Sequence, residues 1–273
     1  MSLLQAIILG IVQGLTEFLP ISSSAHLVLV PFFLGWTDIP EEQVFLFDVL
    51  VQLGTLLAVI VYFWKDLIGI AGSFVRGILQ RKPFAEAESR MGWYLILATI
   101  PAGLFGLLIK DQVEAAFNSP VATAIFLFVT AFLLLFSERV GSRIRSLEGL
   151  NWKDALWFGC AQALSVFPGI SRSGSTIAGG MVRNFDRPAA ARFSFLMSIP
   201  VMIAAGVLTG LDMVALPDFD SFLPVVITGF ISAAIVGYLS IRWLLAYLVR
   251  HSLNAFALYC LILGATTLII FYV

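Results

Sequence analysis

The chain is 273 residues long, 60% hydrophobic and 12% charged, with a formal net charge of -1. A mean hydropathy of +0.98 excludes a soluble domain of this size, whose shell would have to be far more polar. No basic stripe or aromatic–basic platform is present, so nucleic acid is excluded as an expected partner. Cys160 and Cys260 lie in separate apolar runs and define neither a disulfide framework nor a metal spacing.

The first apolar stretch, about 3–34, is interrupted at Leu19-Pro20-Ile21-Ser22-Ser23-Ser24. It has no Lys or Arg before Lys65, so a cleavable signal peptide is not expected. Six runs then have the length and apolarity of membrane-crossing helices: about 45–64, 92–109, 120–137, 190–211, 222–241 and 253–272. A second interrupted stretch, 155–182, breaks at Pro168-Gly169. Each interrupted stretch reads either as two half-helices that dip into the membrane and return, or as one span with a polar kink.

Charge placement favours return. With both broken stretches re-entrant, segments 65–91, 138–154, 183–192 and 242–252 share one side and carry 14 of the 16 Lys and Arg residues. The opposite loops, 35–44, 110–119 and 212–221, are acidic, with Asp38, Glu41, Glu42, Asp111, Glu114, Asp212, Asp218 and Asp220. The positive-inside rule makes the basic side cytoplasmic and puts both termini outside.

The two breaks are also related to each other. A shift of 149 residues lays Gly10–Ser24 over Gly159–Ser173, with 7 of 15 positions identical: Gly10, Gln13, Leu15, Phe18, Ile21, Ser22 and Ser24 over Gly159, Gln162, Leu164, Phe167, Ile170, Ser171 and Ser173. Three crossings separate the copies, and an odd number inverts one relative to the other. The expected fold is an all-α polytopic membrane protein. It has six transmembrane helices plus two re-entrant helical hairpins in an inverted-topology repeat. The domain organisation is a single membrane domain, 1–273, with pseudo-repeats of about 1–137 and 150–273.

Chemistry concentrates at the breaks. Gln13 and Glu17 are four residues apart and share a helix face. Glu17 is the only acid before Asp38, and a carboxylate isolated in an apolar segment is a functional candidate. Ser22, Ser23, Ser24 and His26 follow it. The second break is Pro168-Gly169-Ile170-Ser171-Arg172-Ser173-Gly174-Ser175-Thr176, one guanidinium among hydroxyls and glycines. A cation between apolar runs is costly unless something anionic meets it. Gly169 and Gly174 allow close backbone approach. A half-helix beginning after the break would aim free N–H groups and its dipole at an anion, with Arg172 as a bidentate donor. A Ser/Gly-rich packing face is the alternative, and it leaves Arg172 unexplained. Facing each other, the breaks would provide phosphate-binding groups, a hydroxyl, a carboxylate and an imidazole, the parts of phosphoryl transfer. A divalent cation bridging Glu17 and phosphate oxygens would fit the oxygen preference of hard cations.

These residues carry a resemblance to a known family. Gln13-Gly14-Leu15-Thr16-Glu17-Phe18-Leu19-Pro20 resembles the first signature of the bacitracin-resistance type undecaprenyl-diphosphate phosphatases, and Pro168–Thr176 resembles their second. Gln52-Leu53-Gly54 and Phe193-Ser194-Phe195-Leu196 are similar to further family segments. The resemblance covers essentially the whole chain. It implies hydrolysis of undecaprenyl diphosphate to the monophosphate and inorganic phosphate, which recycles the lipid carrier of cell-wall synthesis. It also implies a multi-pass protein of the bacterial inner membrane, a site open to the outer face, and a divalent cation, Mg2+ or Ca2+, at Glu17. By the same resemblance Arg172 would clamp the diphosphate with Ser171, Ser173, Thr176 and the Gly169 backbone. Gln13, Ser22 and Ser24 would complete the substrate site. His26 would be acid or base, and Ser23 a nucleophile in competition with His26 or water. Many family members have Glu where Gln13 stands; Gln cannot act as a base or a strong metal ligand, which puts the weight on Glu17. The expected partners are a polyprenyl diphosphate and membrane lipid, with a homodimer left open. The rival reading is a transporter of polyprenyl phosphate lipids, because inverted repeats with broken helices are also a transporter signature.

Overall fold

The architecture is that of a computed structural model. It describes residues 1–36, 41–117, 119–214 and 219–273, with the side chains at 41–46, 110, 111, 114, 208–214 and 219–221 excepted. Among the described residues the only β-type pairing is an isolated bridge between Arg145 and Phe185. The remainder is helix and connection, as a chain that must satisfy its own backbone in lipid requires.

The first stretch forms α1 (Leu3–Thr16) and α2 (Ser23–Leu34), which pack on each other across a non-helical turn. At 1.5 Å per residue they are about 21 and 18 Å long, too short to cross a ~30 Å hydrocarbon core. There follow α3 (Glu41–Tyr62), α4 (Trp64–Leu79), α5 (Ala87–Leu108), α6 (Lys110–Phe117) and α7 (Pro120–Val140). The second broken stretch forms α8 (Trp152–Ala163) and α9 (Arg172–Val182), again packed on each other. The chain ends with α10 (Arg187–Val214), α11 (Phe219–Leu248) and α12 (Asn254–Tyr272). Among the described residues α5, α7, 187–207 of α10, 222–248 of α11 and α12 have the length and apolarity to span a membrane. The described part of α3 reaches the sixth span only together with α4, from which it is bent by 80°. The protein is an all-helical, multi-pass membrane protein. The acidic residues expected on the outer loops, Asp38 to Glu42, Asp111, Glu114 and Asp212 to Asp220, lie outside the described side chains.

Two helices stand where the sequence suggests loops. α4 occupies most of segment 65–91. Its Trp64, Ile68, Val75 and Leu79 recur at helical spacing and are exposed, while Asp66 pairs with Arg192 and Arg76 with Glu86. An apolar stripe opposite charges suits a helix lying in the interface rather than across it. Its charges dilute the hydropathy of the segment, which conceals the periodicity. α6 likewise occupies part of segment 110–119.

The hairpins seat against long helices through glycines. A Cβ at Gly10 of α1 would lie 2.5 Å from the Gly229 carbonyl oxygen on α11. One at Gly159 of α8 would lie 2.6 Å from the Ala98 carbonyl oxygen on α5. Small residues permit this close backbone approach, which is how helices associate without a hydrophobic drive. Below the tips lies an aromatic core. Phe18 meets Phe195 edge-on at 5.2 Å, and Phe158 meets Phe193 at 4.7 Å.

The basic side is also held together by two buried acids. Asp154, fully buried, accepts from Arg145 Nη2 at 2.6 Å, Arg183 Nε at 2.9 Å and Asn151 Nδ2 at 2.6 Å. Burial alone would raise this carboxyl, but the bonds from Arg145 and Arg183 outweigh it and hold it below the usual carboxylate range. Glu138 accepts from Arg187, Arg143 and the Leu253 N–H, joining α7, α10 and the start of α12. Four cations that sequence alone marks as topological signals therefore also anchor helix ends.

Candidate active site

The two non-helical tips meet. Arg172 Nη2 donates to Glu17 Oε1 at 2.9 Å, although 155 residues separate them in sequence. Arg172 Nη1 donates to the Ser194 carbonyl on α10 at 3.1 Å. Glu17 Oε2 accepts from Ser23 Oγ at 2.7 Å and from Gln13 Nε2 at 2.8 Å. The ion pair is only partly closed, with 14% of the Arg172 and 7% of the Glu17 side-chain surface exposed. Ser23 and Ser24 are half-buried, so they line the accessible part of this junction.

The backbone explains the shape of each tip. Ser22 is the N-cap of α2 with φ of 70° and ψ of 98°, a conformation L residues rarely adopt. Its Oγ accepts from the Ala25 N–H and, across the hairpins, from the Gly169 N–H at 3.2 Å. Strain of this kind persists where surrounding contacts over-determine it, typically at functional sites. Ser171 is the N-cap of α9, and its Oγ accepts from the Gly174 N–H at 3.0 Å. Gly169 has φ of +101°, and a Cβ there would lie 2.4 Å from the Thr123 carbonyl oxygen. Only glycine fits this position. Thr130 of α7 closes the turn, donating to the Gly169 carbonyl at 2.7 Å and accepting from the Ser171 N–H at 2.9 Å.

The predicted site residues divide by what their polar atoms do. Glu17, Arg172 and Ser23 form one hydrogen-bonded unit. Ser173 Oγ donates to the Leu19 carbonyl at 3.0 Å, so with Ser22 it clasps one tip to the other. Thr176 is fully buried a turn inside α9, bonded to the Arg172 carbonyl at 2.7 Å and to Ser194 Oγ at 2.6 Å. It ties α9 to α10 behind the tip. Among the described residues, the Arg172 and Ser173 N–H groups at the start of α9 have no hydrogen-bond partner, which leaves them as donors for an anion. Gln13 Oε1, beside Glu17, is buried without a partner among the described residues.

His26 is on α2, and its two nitrogens are hydrogen-bonded to groups other than the carboxylate. Nδ1 lies 2.7 Å from the Ser22 carbonyl, and Nε2 lies 2.7 Å from the Tyr259 hydroxyl on α12. A carbonyl can only accept, so Nδ1 carries a proton. In the neutral ring Nε2 is then the acceptor for the Tyr259 O–H. His251, by contrast, stacks on Tyr247 beyond the end of α11. Four participants were not singled out as site residues from sequence: Thr55, whose Oγ1 accepts from Gln13 Nε2 at 3.5 Å, Thr130, Ser194 and Tyr259. Thr55 and Ser194 adjoin or lie within the Gln52–Gly54 and Phe193–Leu196 segments already noted. Thr130 and Tyr259 are single polar residues in apolar runs, a weak signal.

Known proteins resemble this chain along nearly its whole length. The family model described as bacitracin resistance protein BacA matches residues 6–266. An undecaprenyl-diphosphatase of Methanosphaera stadtmanae is 44% identical over 279 residues, spanning 99% of this chain and 98% of that protein. One from Thermomicrobium roseum is 44% identical with the same coverage. One from Chlorobaculum parvum is 46% identical over 278 residues, spanning 98% of this chain and 97% of that protein. With a family match along nearly its whole length and relatives of this similarity, the chain belongs to the bacitracin resistance protein BacA family.

Proposed function

We propose that this protein hydrolyses undecaprenyl diphosphate to undecaprenyl phosphate and inorganic phosphate. It does so from a bacterial inner membrane, in a chamber that opens to the outer face. The fold in this reading is six spans and two re-entrant hairpins, arranged as inverted pseudo-repeats of about 1–137 and 150–273. All groups come from one chain, so the chemistry needs no second copy.

The observation that carries the reading is the contact of Ser23 Oγ with Glu17 Oε2 at 2.7 Å, beside a guanidinium that can transfer its bonds to phosphate. A hydroxyl within hydrogen-bond reach of a base is the arrangement of an activated nucleophile. The diphosphate enters with its terminal phosphate at Arg172 and the free N–H groups of Arg172 and Ser173. Arg172 turns from Glu17 to the phosphate oxygens, whose charge it meets as a bidentate fork. Glu17, no longer paired with Arg172, takes the Ser23 proton. The Ser23 oxygen bonds to the terminal phosphorus as the bond to the bridging oxygen breaks, and undecaprenyl phosphate leaves. Water then attacks the phosphoserine. His26, with its Nε2 lone pair preset, takes a proton from that water; Glu17 returns a proton to Ser23 as inorganic phosphate departs.

A divalent cation fits the donor set. Glu17 and the unpartnered Gln13 Oε1 are hard oxygen donors in one place. Among the described residues no group of three His, Cys, Asp or Glu exists to hold an ion by itself. Such a site suits Mg2+ or Ca2+ that takes its remaining ligands from substrate phosphates and water. When bound, the ion would neutralise phosphate charge.

The test is phosphate release from undecaprenyl diphosphate by the purified protein in detergent with Mg2+. Release is expected, with loss in Glu17→Gln and a radiolabelled phosphoenzyme at Ser23 during turnover. Substrate binding without release by the wild-type protein would overturn hydrolysis, and release without a phosphoenzyme would overturn the covalent route alone.

A further inference from the structure

We propose that Tyr259 is the positioning residue for His26. This deepens the reading above and rests on the assignment of His26 as a proton acceptor. His26 is reached from three directions. Its own helix supplies the Ser22 carbonyl at Nδ1. The first tip supplies Glu17, whose described hydrogen bonds go to Gln13, Ser23 and Arg172 and not to the imidazole. The last helix, α12, supplies Tyr259, with Cys260 next to it on the Pro20 carbonyl at 3.9 Å. Tyr259 is the only side chain among the described residues that hydrogen-bonds the ring.

Its contact has two components. The hydroxyl lies 2.7 Å from Nε2. The phenol ring is parallel to the imidazole within 7°, with centroids 5.6 Å apart. The Ser22 carbonyl fixes where the Nδ1 proton points, but one hydrogen bond leaves the ring free to rock about that axis. The Tyr259 O–H removes this freedom and favours the tautomer with an unprotonated Nε2, the form that can accept a proton. Ser22 is itself held in an unusual backbone conformation and bonded to Gly169. The imidazole is therefore referenced to the second hairpin through Ser22 and to α12 through Tyr259. With 42% of its surface exposed, Tyr259 stands at the rim of this assembly, and Nε2 is free to accept a proton from water when the Tyr259 hydroxyl turns aside. No covalent step is assigned to Tyr259.

The chain has two histidines, so in the His251→Gln protein one imidazole remains to be observed by nitrogen-15 NMR. The expected wild-type signal is a protonated Nδ1 and an unprotonated, hydrogen-bonded Nε2. Tyr259→Phe keeps the stacked ring and removes the hydroxyl. It should shift the Nε2 resonance and mix the tautomers. It should also lower kcat about tenfold, a part of what general acid–base catalysis contributes, with KM within about a factor of two. An unchanged His26 spectrum in Tyr259→Phe would overturn the proposal, whatever the rate. A changed spectrum with unchanged kcat would overturn it too, because the orientation would then not serve the reaction. His26→Gln separates the premise from the proposal: full turnover in that variant removes His26 from the mechanism and takes the proposal with it, whereas wild-type hydrolysis lost in His26→Gln leaves the Tyr259 outcomes decisive. If Tyr259→Phe melts early, Tyr259→Leu, which has no hydrogen-bonding group, must reproduce the spectral change for the proposal to stand.

Discussion

The two hairpins share a frame and differ in chemistry. In the first, Ser22 caps α2 and its Oγ lies 3.2 Å from Ser24 Oγ. In the second, Ser171 caps α9 and its Oγ lies 3.2 Å from Ser173 Oγ. These are the positions related by a shift of 149 residues. Elsewhere the registers diverge. Glu17 lies over Val166, and Ser23 over Arg172. One hairpin carries the base and the hydroxyl, and the other carries the cation and the anion-seeking helix start. The comparison teaches that crossed bonds from Ser22 and Ser173 hold the tips together, while a few unlike residues create a polarised junction. The hairpins also differ at their bases. α8 begins in a capping box with Asn151 and Asp154 that is locked by Arg145 and Arg183, whereas α1 begins in a Ser2–Gln5 box.

The sharpest way to break the comparison is to remove one unlike residue. Arg172→Lys keeps the charge but loses the fork, and Glu17→Gln keeps the shape but loses the base. Each should cut kcat/KM of phosphate release by about 10³ or more, the scale of losing a preorganised charge-stabilising group, and Glu17→Gln should also lower the melting temperature in detergent, because it leaves Arg172 without its partner. Asp154→Asn tests the anchored base. Removing one partner of a buried ion pair costs about 3–5 kcal/mol, so a drop in melting temperature is expected with the chemical residues intact. Asp154 is held below its ordinary value, so its contribution is present above about pH 4, the unfolded carboxylate value, and is lost as pH falls through the lowered one. Acid melting curves of Asp154→Asn should accordingly be flatter than wild type. Ser23→Ala removes the attacking oxygen and should lower turnover by about 10³-fold or more with little change in stability. The matched caps give the smallest effect. Ser22→Ala and Ser171→Ala should each cost about 1 kcal/mol as lost N-caps, with Ser22→Ala the larger because it also releases the Gly169 N–H. Equal effects at all matched positions would mean that the hairpins are equivalent and the polarity of the junction unimportant.

Much of this was legible in the sequence because the cost of charge in an apolar segment is high. Glu17 and Arg172 stand alone in their surroundings, so both are expected to line one chamber, Arg172 toward phosphate and Glu17 toward a cation or the attacking group; their direct ion pair is what the structure adds. The serine cluster was legible as a group but not in detail. Which hydroxyl faces the junction, as Ser23 does, and which clasps backbone, as Ser22 and Ser173 do, depends on tertiary geometry within a few ångströms. The positive φ of Ser22 left no mark, since serine carries no signature of it. Tyr259 and Thr130 were hidden because one polar residue in an apolar helix is ordinary. α4 was hidden because its charges masked its stripe.

The central claim is tested most directly by a double-mutant cycle between Glu17→Gln and Arg172→Lys, read as kcat/KM for phosphate release. If the two residues act as one unit across the hairpins, the double variant will be only about as impaired as the worse single variant, since groups acting together are strongly non-additive. Losses that multiply, or a single variant retaining wild-type turnover, would contradict a shared site.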